Sequence, residues 1–283
     1  MNESNIGKSR LLLDNDIIIK DLYGSSSMRE KIQELFSNNE RFVLKLTLGE
    51  FKRSVMKDLV VFYNDLIEFL GNQDINSTSS HLELLIDFLL DYKKNYGVNA
   101  KGRFVNYIIL IFENILNHIN NSTDTPLEIT LDLIKNQIID YMEIFFYEIN
   151  VIGDSINCPH SDLEPARDQN KFEKLRFSCK DCETKKINLV LDIFQKEIEI
   201  ILNSAISNHL IDILKYIINL DNIKNIDGRK HVCLNLVDLL LILNCPKDYT
   251  IFTSNFSHFN EICVLLNKSS YKFFFFLTPE SFS

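Results

Sequence analysis

An apolar run interrupted by two acids limits what this chain can fold into more than any other segment. Residues 10–19 read Arg-Leu-Leu-Leu-Asp-Asn-Asp-Ile-Ile-Ile. Such a concentration of leucine and isoleucine predicts a buried β-strand. Asp14 and Asp16 stand at alternate positions and would point to one face of it. A carboxylate in a buried strand is costly unless it is paired or bound to a metal. The segment therefore predicts a strand and a site together, although a cap on a turn after a short strand would also account for the two aspartates.

The rest of the chain is read against that strand. Glycine and proline are scarce, with 8 and 5 copies in 283 residues, which favours many helices and few tight hairpins. Ser25–Phe36 predicts a helix with a serine N-cap, and Arg41–Leu46 a second strand. Thr47, with Glu50 three residues on, has the pattern of a capping box opening a helix to about Leu70. After the polar stretch Asn-Gln-Asp-Ile-Asn-Ser-Thr-Ser-Ser, apolar periodicity predicts helices over about 80–94, 101–119 and 126–149. A polar, cysteine-bearing segment covers 151–186, and helices are expected at about 187–203 and 205–219. His231–Leu243 predicts a helix carrying Asp238, Tyr249–Thr253 a strand, Phe256–Leu266 a helix and Tyr271–Leu277 a last strand. Strands alternating with helices at both chain ends imply an α/β fold with a parallel sheet. The expected division is a sheet domain from 8–70 and 228–283, with a largely helical insertion at 75–225.

Composition narrows the function. Apolar residues make up 46% and charged residues 24%, as in ordinary globular proteins. A net charge of −9 argues against whole-surface attraction to nucleic acid, so any such contact needs a local basic patch or a bound cation. The opening residues lack a secretory pattern and the longest apolar runs are too short for a bilayer, so a cytoplasmic location with no membrane association is expected. There, six cysteines point to metal ligands or buried thiols rather than disulfides.

Cys158, His160, Cys179 and Cys182 form two pairs within a loop at 157–186, a donor set suited to a closed, structural, tetrahedral zinc site. Surface thiols beside an unrelated histidine are the other reading. The same loop carries Arg167, Lys171, Lys174, Arg176, Lys180, Lys185 and Lys186, either an RNA-contacting patch or a solvated charged surface. Cys233, Cys245 and Cys263 lie among apolar residues and read as core thiols. His258 could touch a phosphate, but a structural role is the simpler reading. No phosphate-binding glycine-rich loop and no nucleophile elbow is present.

Four places within the strand-bearing ends carry candidate chemistry. They are Asp14 with Asp16, Glu50 in Leu-Thr-Leu-Gly-Glu-Phe-Lys-Arg-Ser-Val, Asp238 in Cys-Leu-Asn-Leu-Val-Asp-Leu-Leu-Leu-Ile-Leu, and Ser254-Asn255 after the strand Tyr249–Thr253. Singly, Glu50 reads as a capping residue and Asp238 as a solvent-facing helix residue. Collected at the carboxyl ends of strands, they would converge on one point. Converging carboxylates suit Mg2+ or Mn2+, which activate water and steady charge on a phosphate.

In this order the four motifs resemble those of PIN-domain nucleases, over about 8–70 and 228–283. The resemblance implies a small parallel sheet between helices and metal-dependent cleavage of RNA, such as tRNA. It implies Asp14, Glu50 and Asp238 as direct or water-bridged metal ligands, and Asn255 as an assistant to the metal or its water. Asp16 would add to the acidic set. Asn255 departs from the family's frequent aspartate and lowers the charge available to the ion. A toxin or defence role, with an inhibitor protein or self-association, follows from the resemblance alone. The alternative is a catalytically weak PIN-like scaffold or sensor acting through its helical insertion.

Overall fold

The computed structural model describes residues 9–71, 81–96, 149–155, 189–218 and 232–272, with positions 136 and 172. The chain divides into two compact units. One comprises 1–50, 149–161 and 177–283, the other 51–148 and 162–176.

The first unit is α/β. Its strands are β1 (Arg10–Leu13), β2 (Glu40–Leu44), β3 (Asn150–Ile152), β4 (Tyr249–Thr253) and β5 (Ser269–Lys272). They form one sheet in the order β3-β2-β1-β4-β5, and every neighbouring pair is parallel. Parallel strands need crossover connections and burial on both faces, so their inner members read as unbroken apolar runs. Leu11–Leu13 in β1, Val43 and Leu44 in β2, and Ile251 and Phe252 in β4 are buried accordingly.

Alternate residues serve opposite faces. Leu12, Leu44 and Ile251 join a core with helices α6 (Gln195–Leu202), α7 (His209–Ile218), α8 (Val232–Asn244) and α9 (Phe256–Leu265). On the other face, Phe252 meets Phe36 edge-on, with ring centroids 6.4 Å apart. Phe36 belongs to α2 (Ser26–Asn38), which packs beside α1 (Asn15–Tyr23). The expected N-cap is present: the Ser25 hydroxyl accepts from the Met28 amide.

The apolar run at 10–19 is not one strand. β1 stops at Leu13, Asp14 is the N-cap of α1, and Ile17 and Ile18 are buried on that helix. An apolar run of this length cannot by itself distinguish strand from helix, and the cap decides the boundary. Asp14 and Asp16 therefore do not share a strand face. The Thr47 capping box also gives way, because α3 (Lys45–Phe51) starts two residues earlier. Thr47 lies inside it, buried, with no partner for its hydroxyl oxygen among the described residues. The expected helix at 187–203 is interrupted by a turn at Phe194. β3 was not anticipated from the sequence. The expected helices at 101–119 and 126–149 lie outside the described residues apart from positions 136 and 149, and so do Cys158, His160, Cys179, Cys182 and the basic residues of their loop.

In the second unit, a π-helical turn at Lys52–Met56 leads into α4 (Lys57–Gly71), with α5 (His81–Tyr96) against it. The Phe62 ring sits 5.3 Å from Phe88 and 4.7 Å from Tyr92. Asn64 anchors Phe172 by two bonds. Its amide nitrogen donates to the Phe172 carbonyl at 2.9 Å, and its side-chain oxygen accepts from the Phe172 amide at 3.0 Å. Among the described residues, no helix is long and apolar enough to cross a membrane.

Candidate functional site

The strand order creates the site. From β1 the chain builds β2 and β3 to one side, then returns to place β4 and β5 on the other. Connections leaving β1 and β4 thus diverge, the topology that in open α/β sheets places a crevice between the carboxyl ends of the two strands. Asp14 follows β1 directly, and Ser254 and Asn255 follow β4. The Asp14 amide donates to the Phe252 carbonyl at 3.1 Å, extending the β1–β4 ladder by one rung.

Asp14 is 6% exposed. Its Oδ1 accepts from the Asn15 amide at 2.7 Å, and its Oδ2 from the Thr253 hydroxyl at 2.8 Å. Thr253 is fully buried, and its hydroxyl oxygen also accepts from the Asn255 amide at 2.9 Å. One threonine thereby ties the first-strand acid to the turn after the fourth strand.

Asp16, one step into α1, reaches the same turn. Its Oδ2 accepts from the Ser254 amide at 3.3 Å, from the Ser254 hydroxyl, and from Lys20 Nζ at 3.2 Å. Its other oxygen, Oδ1, is buried without a donor among the described residues. Buried polar atoms are nearly always satisfied, so an orphan of this kind calls for water or an ion.

Asp238 enters from α8. Its Oδ2 lies 3.8 Å from His258 Nδ1, and that nitrogen is 2.8 Å from the Asn255 side-chain amide nitrogen. Burial pushes the Asp238 carboxyl up, and His258 works against that shift. Asp14 is driven well above its ordinary value. Burial is the largest cause, followed by the charges of Asp16, Asp238 and Glu50, while the Thr253 bond opposes. Asp16 from α1, Asp238 from α8 and Glu50 from α3 therefore all bear on Asp14, the residue that follows β1.

Oxygen donors of this kind suit a hard divalent cation. Among the described residues, no group of three or more His, Cys, Asp or Glu side chains is placed to hold a metal ion directly. Asp14 is occupied by two donors, and Asp238 is near His258.

Most of the acids singled out in the sequence are thus brought together, and Asn255 directs its amide nitrogen to His258. Cys245 and Cys263 are free, buried thiols, as expected, and burial raises them to about 12 and about 11. In the sequence Lys20 is not singled out, and Thr253 has no role beyond ending the strand Tyr249–Thr253. The signal for Thr253 lay in its place as the last residue of the strand facing Asp14. Lys20 stands four residues after Asp16, the spacing of a helical ion pair. No protein-family model, no curated protein and no solved structure matches this chain.

Proposed function

We propose that the α/β unit is a PIN-like, Mg2+- or Mn2+-dependent endoribonuclease. The observation that carries this reading is Asp14, a buried carboxylate at the topological switch point with three further acids acting on it. Such a cluster disfavours the charged form of Asp14, and carboxylates perturbed in this way collect at functional sites. The parallel sheet and the ordered motifs support the family resemblance.

The chain's own groups would act as follows. Asp14, held by Thr253 and the Asn15 amide, would present a fixed carboxylate to the ion. Asp16, through its unpartnered oxygen, and Glu50 and Asp238 would hold the ion's waters. Asn255 and His258 would orient the far side of the crevice. The bound ion would supply an activated water and offset charge on the phosphate. In the same reading, Cys158, His160, Cys179 and Cys182 would close a structural zinc site, and the helical insertion would select the RNA or an inhibitor protein.

Cleavage of a labelled mixture of total RNA and tRNA, with Mg2+ or Mn2+, tests the proposal. Wild type is expected to cut only with the divalent ion, and Asp14→Asn to lose on the order of 100-fold or more of that rate. Equal cleavage by both proteins would point to another site. A catalytically weak scaffold or sensor is the second reading. The observation favouring it is that Asn255 and Asp238 both engage His258 rather than standing open. Absence of cleavage by either protein on any RNA would select that reading.

A further inference from the structure

Lys20 lies in the last turn of α1, where a cation is ordinarily expected to interact with the free carbonyls of the helix end. Its ammonium instead runs back along the helix. It donates to Asp16 Oδ2 at 3.2 Å and to the Ser254 hydroxyl. The first contact alone would be an ordinary pair one helical turn apart, of small consequence. The second is different. Ser254 lies 234 residues away in sequence and is the first residue beyond β4. Lys20 Nζ is therefore held beside the turn that follows β4. Its side chain is about a quarter exposed, so the ammonium is positioned by protein yet reachable from solvent.

The acids that act on one another around Asp14, namely Asp16, Asp238 and Glu50, disfavour a phosphodiester, and the chain's net charge of −9 adds to that repulsion. A hydrated divalent ion offsets only part of it. We infer that Lys20 is a substrate-binding residue whose ammonium takes a non-bridging oxygen of an RNA phosphate at the crevice, with Asp16 and Ser254 holding it in place. This rests on the ribonuclease reading and adds to it the group that recognises the anion. An ammonium binds phosphate as a point charge with three rotatable donors, so it can keep Asp16 and Ser254 while accepting a phosphate as third partner. The opposing requirements follow directly. Lys20 favours the phosphate and disfavours the divalent ion, so its removal should move the two affinities in opposite directions.

The test is equilibrium binding of a fluorescent single-stranded RNA oligonucleotide in Ca2+, alongside Mn2+ titration followed by thermal melting. Wild type, Lys20→Met, Lys20→Arg and Ser254→Ala are compared. Lys20→Met should weaken RNA binding by about 10- to 100-fold, the loss of one charge-assisted contact. It should bind Mn2+ at least as tightly as wild type. Lys20→Arg should retain most of the RNA affinity, and Ser254→Ala should fall between. In cleavage assays the loss should appear in KM more than in kcat. A folded Lys20→Met protein with wild-type RNA affinity overturns the assignment and leaves the ribonuclease reading standing. If Lys20→Met does not fold, Ser254→Ala and Lys20→Arg decide: unchanged RNA affinity in Ser254→Ala together with loss in Lys20→Arg contradicts a held ammonium. Failure of the wild type both to bind and to cut RNA overturns the ribonuclease reading and this assignment with it.

Discussion

Lys268 and Asp14, both withdrawn from bulk water in the α/β unit, are treated in opposite ways. Lys268, just before β5, turns its ammonium onto the carboxyl end of α8. It donates to the carbonyls of Ile242, Leu243 and Cys245 at 2.6, 2.7 and 2.8 Å. They lie at the end of α8, where the helix dipole favours a cation, and the Ile242 carbonyl also accepts from the Cys245 amide at 3.3 Å. Burial pushes Lys268 down, but all three of its donors are used. Asp14 accepts two hydrogen bonds as well, yet the charges nearest to it are the like charges of Asp16, Asp238 and Glu50. The first arrangement is complete within the protein and serves stability. The second leaves like charges acting on a buried carboxylate, which costs stability.

Breaking the complete arrangement should have the largest effect on the fold. Lys268→Met takes the ammonium from three carbonyls at the end of α8, of which Ile242 keeps its bond from the Cys245 amide, and should cost about 3 kcal/mol, read by chemical denaturation. An unchanged midpoint would mean that water replaces the ammonium freely, and the contrast would lose one side.

Breaking the incomplete arrangement should do the reverse. In chelator, Asp14→Asn is expected to stabilise the protein, by about 2–4 °C in melting temperature for each kcal/mol of repulsion relieved. The sign with pH follows from linkage. The folded protein holds the Asp14 proton to higher pH than the unfolded chain, whose ordinary value is 3.8. In that window the folded state carries more protons, so the contribution of Asp14 to stability is full below 3.8 and is lost as pH rises through the folded value. Melting from acid to neutral pH should show wild type losing ground to Asp14→Asn in the absence of metal. Parallel curves would contradict this.

Two smaller changes sharpen the comparison. Asn255→Asp adds a charge to the incomplete site and should tighten Mn2+ binding by about tenfold, measured by calorimetry. Thr253→Val removes the hydroxyl that serves both Asp14 and Asn255, and should cost about 1 kcal/mol by denaturant melting. Rebinding of Mn2+ should be weakened in the same variant, because Asp14 loses the donor that favours its charged form.

The contrast also separates what was legible in the sequence from what was not. Tyr249–Thr253 and the helix carrying Asp238 were readable because each is a local pattern with clear punctuation. Asp14 was conspicuous because an acid beside Leu11–Leu13 has to be accounted for, whatever element holds it. The element itself was misread, since Ile17–Ile19 continue the apolar run and only the capping geometry shows that a helix has begun. Thr47 looked like a cap for the same local reason, yet the helix already starts at Lys45. β3 is three residues long at a sheet edge, and its pairing with β2 leaves no signature in Asn150–Ile152. Thr253 and Lys20 matter through partners 239 and 234 residues away, and no local pattern carries such information.

The central claim is that the acids around Asp14 await a divalent cation. Its most direct test is thermal melting of wild type and Asp14→Asn across a Mn2+ titration at neutral pH. The account predicts that wild type gains about 2.7 kcal/mol at 100 times its dissociation constant, and that Asp14→Asn, more stable at the outset, gains little. A Mn2+ response equal in the two proteins, or absent from wild type, would contradict it.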